Sequence, residues 1–251
     1  MAQPAMPPAL PGCAAIDLPP IATAALLLDL DGTLLDIAPT PGSVVVPPGL
    51  IASLRALRAR LDGALAVVTG RPVEQVEALL GDAVPTIAGE HGGAIRHAAG
   101  EPLDRVELPA PSETWFAAGM RIAAVHPGVT MERKAKGFVL HYRAAPAVGP
   151  ALGEAMAALV AGSDRFVILP ARKAWELRPR GADKGTAVEL LMWRAPFVGR
   201  LPVFIGDDVT DEDGMAAARR LGGVGLRVAE AFRDPAGVRA WLRETASAGT
   251  W

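Results

Sequence analysis

Asp29 and Asp31 close the apolar run in "ATAALLLDLDGT", and the arrangement returns late in the chain, where Asp207 and Asp208 close "LPVFIGDD". Thr69 follows "GALAVV", Glu90 and His91 follow "PTIAG", and Lys184 opens an apolar helical pattern. Unpaired acids beside a core are costly. Several carboxylates gathered at one crevice therefore need a cation. Hard oxygen ligands of this kind suit Mg²⁺, which keeps part of its water and often bridges to a phosphate. The chemistry indicated is Mg²⁺-dependent work on a phosphoryl group. Gly32 permits a sharp turn just after the first acids, so that backbone N–H groups can face the phosphate. Taken alone, each short motif has a plain structural reading: D-x-D-G-T as a turn, Thr69-Gly70 as a strand end, "GDDVTDEDG" as a helix N-terminal cap. What joins them is order, since each falls after a strand or at a helix start.

Strands that end together are needed to position these groups. Residues 22–30 and 63–70 read as strands buried on both faces of a parallel sheet, and 85–93 as a third strand ending in glycines. Residues 47–61 read as a helix, because the apolar positions 50, 51, 54, 57 and 61 recur at helical spacing behind two prolines. Residues 72–81 read as a shorter helix with Pro near its first turn and Gly just past its end. The alternation resumes with a helix at 184–194, a strand at 201–208, a helix at 211–223, a strand at 224–228 and a helix at 235–246. This predicts right-handed βαβ units and an α/β fold with a doubly wound, parallel-sheet, Rossmann-like core. In such a sheet ligands bind beyond the carboxyl ends of the strands. Between the halves the texture changes to a helix (111–125), a hairpin (128–134 and 137–143), a helix (149–162) and one or two strands (165–179). Residues 108–180 are thus predicted as an inserted α+β domain, with the core made from 21–107 and 181–251.

The 251 residues are 51% hydrophobic, enough for a core plus a smaller second domain. A net charge of −2 gives no basic surplus for nucleic acid or an anionic membrane. The clusters Arg55/Arg58/Arg60 and Arg219/Arg220 read as solvated helix faces. A single cysteine, Cys13, forms no internal disulfide, so nothing points to secretion. Residues 1–20 hold six prolines and no basic residue, and read as a disordered leader rather than a secretory signal. No apolar run approaches the roughly 20 residues that span a bilayer. The expectation is a soluble cytoplasmic protein with no nucleic-acid or membrane partner.

In order, "DLDGT", "TGR", "KG" and "GDDVTDED" resemble the four motifs of the haloacid dehalogenase-like (HAD) phosphatase superfamily. "GEHGG", "MERKAKGFVLHYR", "WELRPRGADKG" and "PVFIGDDVTDED" resemble one member family, the trehalose-6-phosphate phosphatases, and the resemblance runs from about Ala25 to Trp241. Thr69 stands where many superfamily members carry Ser, and the hydroxyl is retained. The resemblance implies a HAD-like catalytic core, with the insert as a cap that closes over the site and reads the sugar. It implies hydrolysis of trehalose 6-phosphate to trehalose and phosphate, the final step of trehalose biosynthesis, and a functional link to trehalose-6-phosphate synthase. Asp29 would be the nucleophile, forming an aspartyl-phosphate, and Asp31 the acid and then the base. Thr69 and Lys184 would bind the transferring phosphoryl oxygens. Mg²⁺ would be held by Asp29, the backbone carbonyl of Asp31 and Asp207, with Asp208 and Asp211 in support.

Glu132 and Lys134 lie two apart on one predicted strand, and Glu176 and Arg178 on another, so each pair shares a face. Carboxylates accept hydrogen bonds from sugar hydroxyls, and ammonium groups donate to sugar oxygens. On pattern alone these are exposed strand charges. The resemblance places Glu132, Lys134 and Glu176 at sugar-contacting positions. Arg178 joins them by its shared face, while Gly70 and His91 are candidate substrate contacts at the strand-end turn and the hinge. His97, His126 and His141 are expected to be structural. The same chemistry on sucrose phosphate or mannosylglycerate phosphate is the nearest alternative, opposed only by the cap residues. A receiver-like signalling domain shares the strand-end Asp residues, Mg²⁺, Thr and Lys, but needs about half this length and neither the Asp-x-Asp pair nor the cap. A catalytically silent sugar-phosphate-binding protein would have no use for the complete catalytic set.

Overall fold

The structure, a computed structural model, describes residues 17–38, 43–134, 136–171, 173–248 and 251. Most of the expected leader, up to residue 16 and including Cys13, lies outside the described residues. β1 (Ala24–Leu28) is apolar at every position and wholly buried, as befits a strand covered on both faces. α1 (Leu50–Arg60) turns Leu50, Leu54 and Leu57 inward along one stripe. β2 (Leu65–Val68) follows, then α2 (Val73–Leu80), which starts after Pro72 and stops at Gly81, whose positive φ only a glycine adopts at no steric cost. β3 (Thr86–Gly89) leads into β4 (Ala94–Arg96) and β5 (Asp104–Arg105). The middle of the chain gives α3 (Glu113–Ala124), β6 (Thr130–Lys134), β7 (Gly137–His141), α4 (Gly149–Leu159), β8 (Phe166–Ala171) and β9 (Ala174–Pro179). The last segment gives α5 (Lys184–Met192), β10 (Leu201–Gly206), α6 (Asp211–Arg220), β11 (Val224–Arg227), the one-turn α7 (Val228–Ala231) and α8 (Pro235–Ala248).

The chain divides into two compact units, Met1–Val106 with Asp183–Trp251, and Glu107–Ala182. The first holds a seven-stranded sheet ordered β11-β10-β1-β2-β3-β4-β5. Five strands are parallel, and β4 and β5 extend the edge antiparallel. That antiparallel extension is absent from the sequence reading. The chain runs outward from β1 through β2 and β3 on one side, then through β10 and β11 on the other. The order therefore reverses between β1 and β10, where an open α/β sheet leaves a crevice for ligands.

In the second unit, four antiparallel strands lie in the order β6-β7-β9-β8. Strand alternation sorts their side chains. Phe138, Leu140 and Leu177 pack with Phe116, Leu152 and Met156 of the two helices. The register aligns Glu132, Val139 and Glu176 across β6, β7 and β9, so the opposite face carries Glu132, Glu176 and, two residues on from each, Lys134 and Arg178. No helix among the described residues is long and apolar enough to cross a membrane.

Candidate active site

The carboxyl ends of β1, β2, β3 and β10 are neighbours, and the loops beyond them carry the strand-end residues. Asp29 still pairs with the sheet, its N–H donating to the Ile205 carbonyl at 2.9 Å. Gly32 then turns the chain at φ 87°. A Cβ there would fall 2.2 Å from Asp207 Oδ2, so only a glycine lets the loop after β1 lie against that carboxylate. Gly206 does the same for Asp211, whose Cγ would be 2.3 Å from an added Cβ.

Lys184 links the acids. Asp183 caps α5 by accepting the Thr186 N–H at 2.7 Å, which fixes Lys184 as the first residue of the helix. Its ammonium donates to Asp29 Oδ1 and Asp211 Oδ1, both at 2.6 Å. Lys184 and Asp29 are each 3% exposed and Asp211 is fully buried. The second Asp211 oxygen accepts the N–H groups of Asp207 and Asp208 at 3.0 Å, which holds the loop after β10 in shape. Asp29, Asp207 and Asp211 each offer an oxygen within 4.8 Å of the others. Asp208 lies outside this triad: it is exposed and accepts the Thr210 N–H in the turn into α6. The sequence reading put Asp208 and Asp211 alike in support of the metal. The structure gives Asp211 the inward place, because helix α6 starts at that residue.

Burial pushes the Asp29 carboxyl up to about 7 against the pull of Lys184, and the charges of Asp211 and Asp207 add to the rise. Burial, then Asp211 and Asp208, raise Asp207 to about 6. Burial opposes the charge on Lys184, but Asp29 and Asp211 outweigh it and hold the ammonium charged well above its usual range. Acids strained in this way fit a cation. Asp29 Oδ2 is buried with no hydrogen-bond partner, and the three donors are all carboxylate oxygens, the set a hard divalent ion takes.

A pH dependence follows for the metal-free protein. Unfolded, Asp29 titrates near 3.8, and folded near 7. Between those values the native state holds a proton that the unfolded chain has lost, so stability falls as pH rises through the window. The melting temperature of chelated protein is expected to fall from about pH 4 to about pH 7, the two values of Asp29. Added Mg²⁺ should raise it more above the window than below. An equal gain at both ends would show that the ion does not bind these carboxylates.

Two further loops complete the crevice. Thr69 is buried, and its hydroxyl accepts the Arg71 N–H at 3.2 Å. Gly70 lies beneath the His91 ring, where an added Cβ would come within 2.7 Å of Cε1. The His91 N–H donates to the Thr69 carbonyl at 2.9 Å, tying the β2 loop to the β3 loop. Glu90 accepts from Arg105 of β5 at 3.1 Å. Asp31 is gripped by Arg71, Nε to Oδ2 at 2.6 Å and Nη2 to Oδ1 at 2.7 Å. Nothing local in "TGR" signals that Arg71 has a carboxylate partner.

In the second unit Lys134 Nζ donates to Glu176 Oε1 at 2.7 Å, and His141 Nε2 meets Glu132 Oε2 at 2.9 Å. The structure thus joins His141 to the candidate sugar-reading face. His126 bonds the Ile122 carbonyl at 2.8 Å within its own helix end, and His97 lies 3.6 Å from Asp104.

A doubly wound sheet with clustered acids and a bridging lysine at its switch point defines the class, a haloacid dehalogenase-like hydrolase. A profile of the trehalose-phosphatase family matches residues 27–232. The chain is 37% identical over 205 residues to the trehalose-6-phosphate phosphatase of Escherichia coli, covering 81% of this chain and 77% of that one. It is 40% identical over 215 residues to a probable trehalose-phosphate phosphatase of Sinorhizobium fredii, with the same two coverages. The solved C-terminal domain of trehalose-6-phosphate phosphatase from Candida albicans has the same fold, with a TM-score of 0.74 at 19% identity, over 90% of this chain and 93% of that one. The chain belongs to the trehalose-phosphatase family and is a phosphoric monoester hydrolase.

Proposed function

We propose that the protein hydrolyses trehalose 6-phosphate to trehalose and inorganic phosphate, with 21–107 and 181–251 as catalytic core and 108–180 as a sugar-reading cap. The observation that carries the reaction type is the buried Oδ2 of Asp29 at the switch point, which has no hydrogen-bond partner. Asp29 attacks phosphorus and the sugar 6-oxygen leaves, giving an aspartyl-phosphate. Splitting the displacement this way replaces one hard step by two easier ones. Asp31 gives the leaving oxygen a proton, then takes one from the water that attacks the aspartyl-phosphate. Thr69 and Lys184 bind the phosphoryl oxygens, and Lys184 offsets the crowded negative charge. Asp29, the Asp31 carbonyl and Asp207 would hold Mg²⁺, with Asp211 and Asp208 shaping the loop. When bound, the ion neutralises charge on the phosphoryl group, which with positioning is most of what this reaction requires.

Glu132, Lys134, Glu176 and Arg178 read the disaccharide, while Gly70 and His91 line the turn beside it. The substrate is supplied by trehalose-6-phosphate synthase, which makes that enzyme the functional partner, and the reaction is placed in the cytoplasm. One experiment tests the whole reading: kcat/KM with Mg²⁺ on trehalose 6-phosphate, sucrose phosphate, mannosylglycerate phosphate and p-nitrophenyl phosphate, for the wild type and for Glu132→Ala and Glu176→Ala. Trehalose 6-phosphate should lead. Each variant should lose about tenfold on it, the cost of about 1–3 kcal/mol for a buried polar partner left unmade. The aryl phosphate, which has no sugar, should be affected far less. A different leading substrate would move the specificity elsewhere, and equal losses on both substrates would return the two glutamates to support of the fold.

A further inference from the structure

We infer that Arg71 is a positioning residue that sets the orientation of Asp31, an inference that rests on the reading of Asp31 as acid and base. Two parallel hydrogen bonds, 2.6 and 2.7 Å long, fix both the direction and the plane of the Asp31 carboxylate. A lysine offers one point of contact and leaves that plane free. The Arg71 side chain is 12% exposed and that of Asp31 35%, so the contact is sheltered on the arginine side and more open at the carboxylate. Each carboxylate oxygen has a second lone-pair direction beyond the one Arg71 uses. The acid can therefore exchange a proton with an incoming oxygen while it is still held.

The Arg71 backbone is itself held at two points. Its N–H donates to Thr69 Oγ1 at 3.2 Å, and its carbonyl accepts the Glu90 N–H at 3.0 Å. Gly89 makes room for that carbonyl, which an added Cβ would meet at 2.7 Å. Glu90 and His91 reach their places through positive φ values of 53° and 57°, a strained conformation for residues that carry a side chain. Strain of this sort persists where the surroundings over-determine it and function uses the result. Here it closes the β3 loop onto the backbone of residue 71. The chain of support runs from β3 through Arg71 to Asp31, whereas Asp29 is fixed by β1 and Lys184. Nucleophile and acid thus have separate mountings.

A double-mutant cycle with Asp31→Asn, read on trehalose 6-phosphate and p-nitrophenyl phosphate, tests this. Arg71→Ala should lower kcat on the sugar phosphate by about 30- to 100-fold, the scale of losing alignment of a catalytic group by about 1 Å. KM should change little. Loss on the aryl phosphate should be at least about tenfold smaller, because its leaving group departs with little need of a proton. Arg71→Lys keeps charge and bulk but not the fork, and should fall between. In the Asp31→Asn background, Arg71→Ala should cost almost nothing further on the sugar phosphate, since the group it positions is already disabled. Additive losses in the double variant, or equal losses on both substrates, would assign Arg71 to phosphate binding or to folding and overturn the inference. If Asp31→Asn itself shows no leaving-group dependence, the acid role of Asp31 fails. The additivity of the cycle still reports separately whether Arg71 acts through Asp31.

Discussion

Asp29→Asn is expected to fold as the wild type does and to lose turnover by about 10⁴-fold or more, the scale seen when a nucleophile is removed. The substitution keeps shape and volume. The amide oxygen still accepts from Lys184, so the 2.6 Å contact has a successor. What disappears is the buried charge on the atom that attacks phosphorus. That charge is disfavoured by burial in the metal-free protein, where the carboxyl is pushed up to about 7, so the neutral amide should melt no lower than the wild type. Phosphate release, thermal melting and trapping of a phosphorylated protein together check this. Near-normal release from the variant would remove the covalent mechanism.

Lys184→Met should be costly in both respects. The ammonium is the shared partner of two buried carboxylates, and deleting one member of a buried charged cluster typically costs about 3–5 kcal/mol. The methionine fills the space but leaves Asp29 and Asp211 facing each other with no cation between them. Melting temperature should drop in metal-free buffer and recover in part with Mg²⁺, which restores positive charge to the cluster. Turnover should not recover, because a ligand of the transferring phosphoryl group is gone. Adding Asp29→Asn to this variant should return some of the lost stability by removing one of the opposed charges. A Lys184→Met protein that melts like the wild type without metal would mean that the acids are accommodated some other way.

Much of this site is legible in the sequence, and the reason is geometric. In a parallel sheet neighbouring strands end on the same side, so residues far apart in the chain but each just past an apolar run must meet. Asp29, Thr69 and Asp207 are found by that rule, and Lys184 by its place at a helix start. The rule fails where the next step depends on side-chain direction. It does not say which of the acids in "GDDVTDED" turns inward; the start of α6 at Asp211 settles that, and Asp208 faces the turn. Arg71 is invisible for a different reason. Its partner lies forty positions away, and nothing in "TGR" specifies a carboxylate at that distance. β4 and β5, at three and two residues, are too short to show a period, although β5 supplies the arginine that holds Glu90. His141 looks structural until the register of β6 and β7 brings it beside Glu132.

Gly32 and Gly206 carry a consequence for inheritance. Neither performs chemistry, yet each fills its place by having no side chain, with an acid oxygen or carbon within 2.3 Å of where a Cβ would begin. Every missense change from a glycine codon introduces a Cβ. There is no conservative replacement at either position, even alanine, and no gradual route by which a lineage could drift through them. A residue with no chemical role of its own thus decides whether two of the acids can sit where they do. A missense change at either codon is expected to disturb the site while every group that touches the substrate remains encoded.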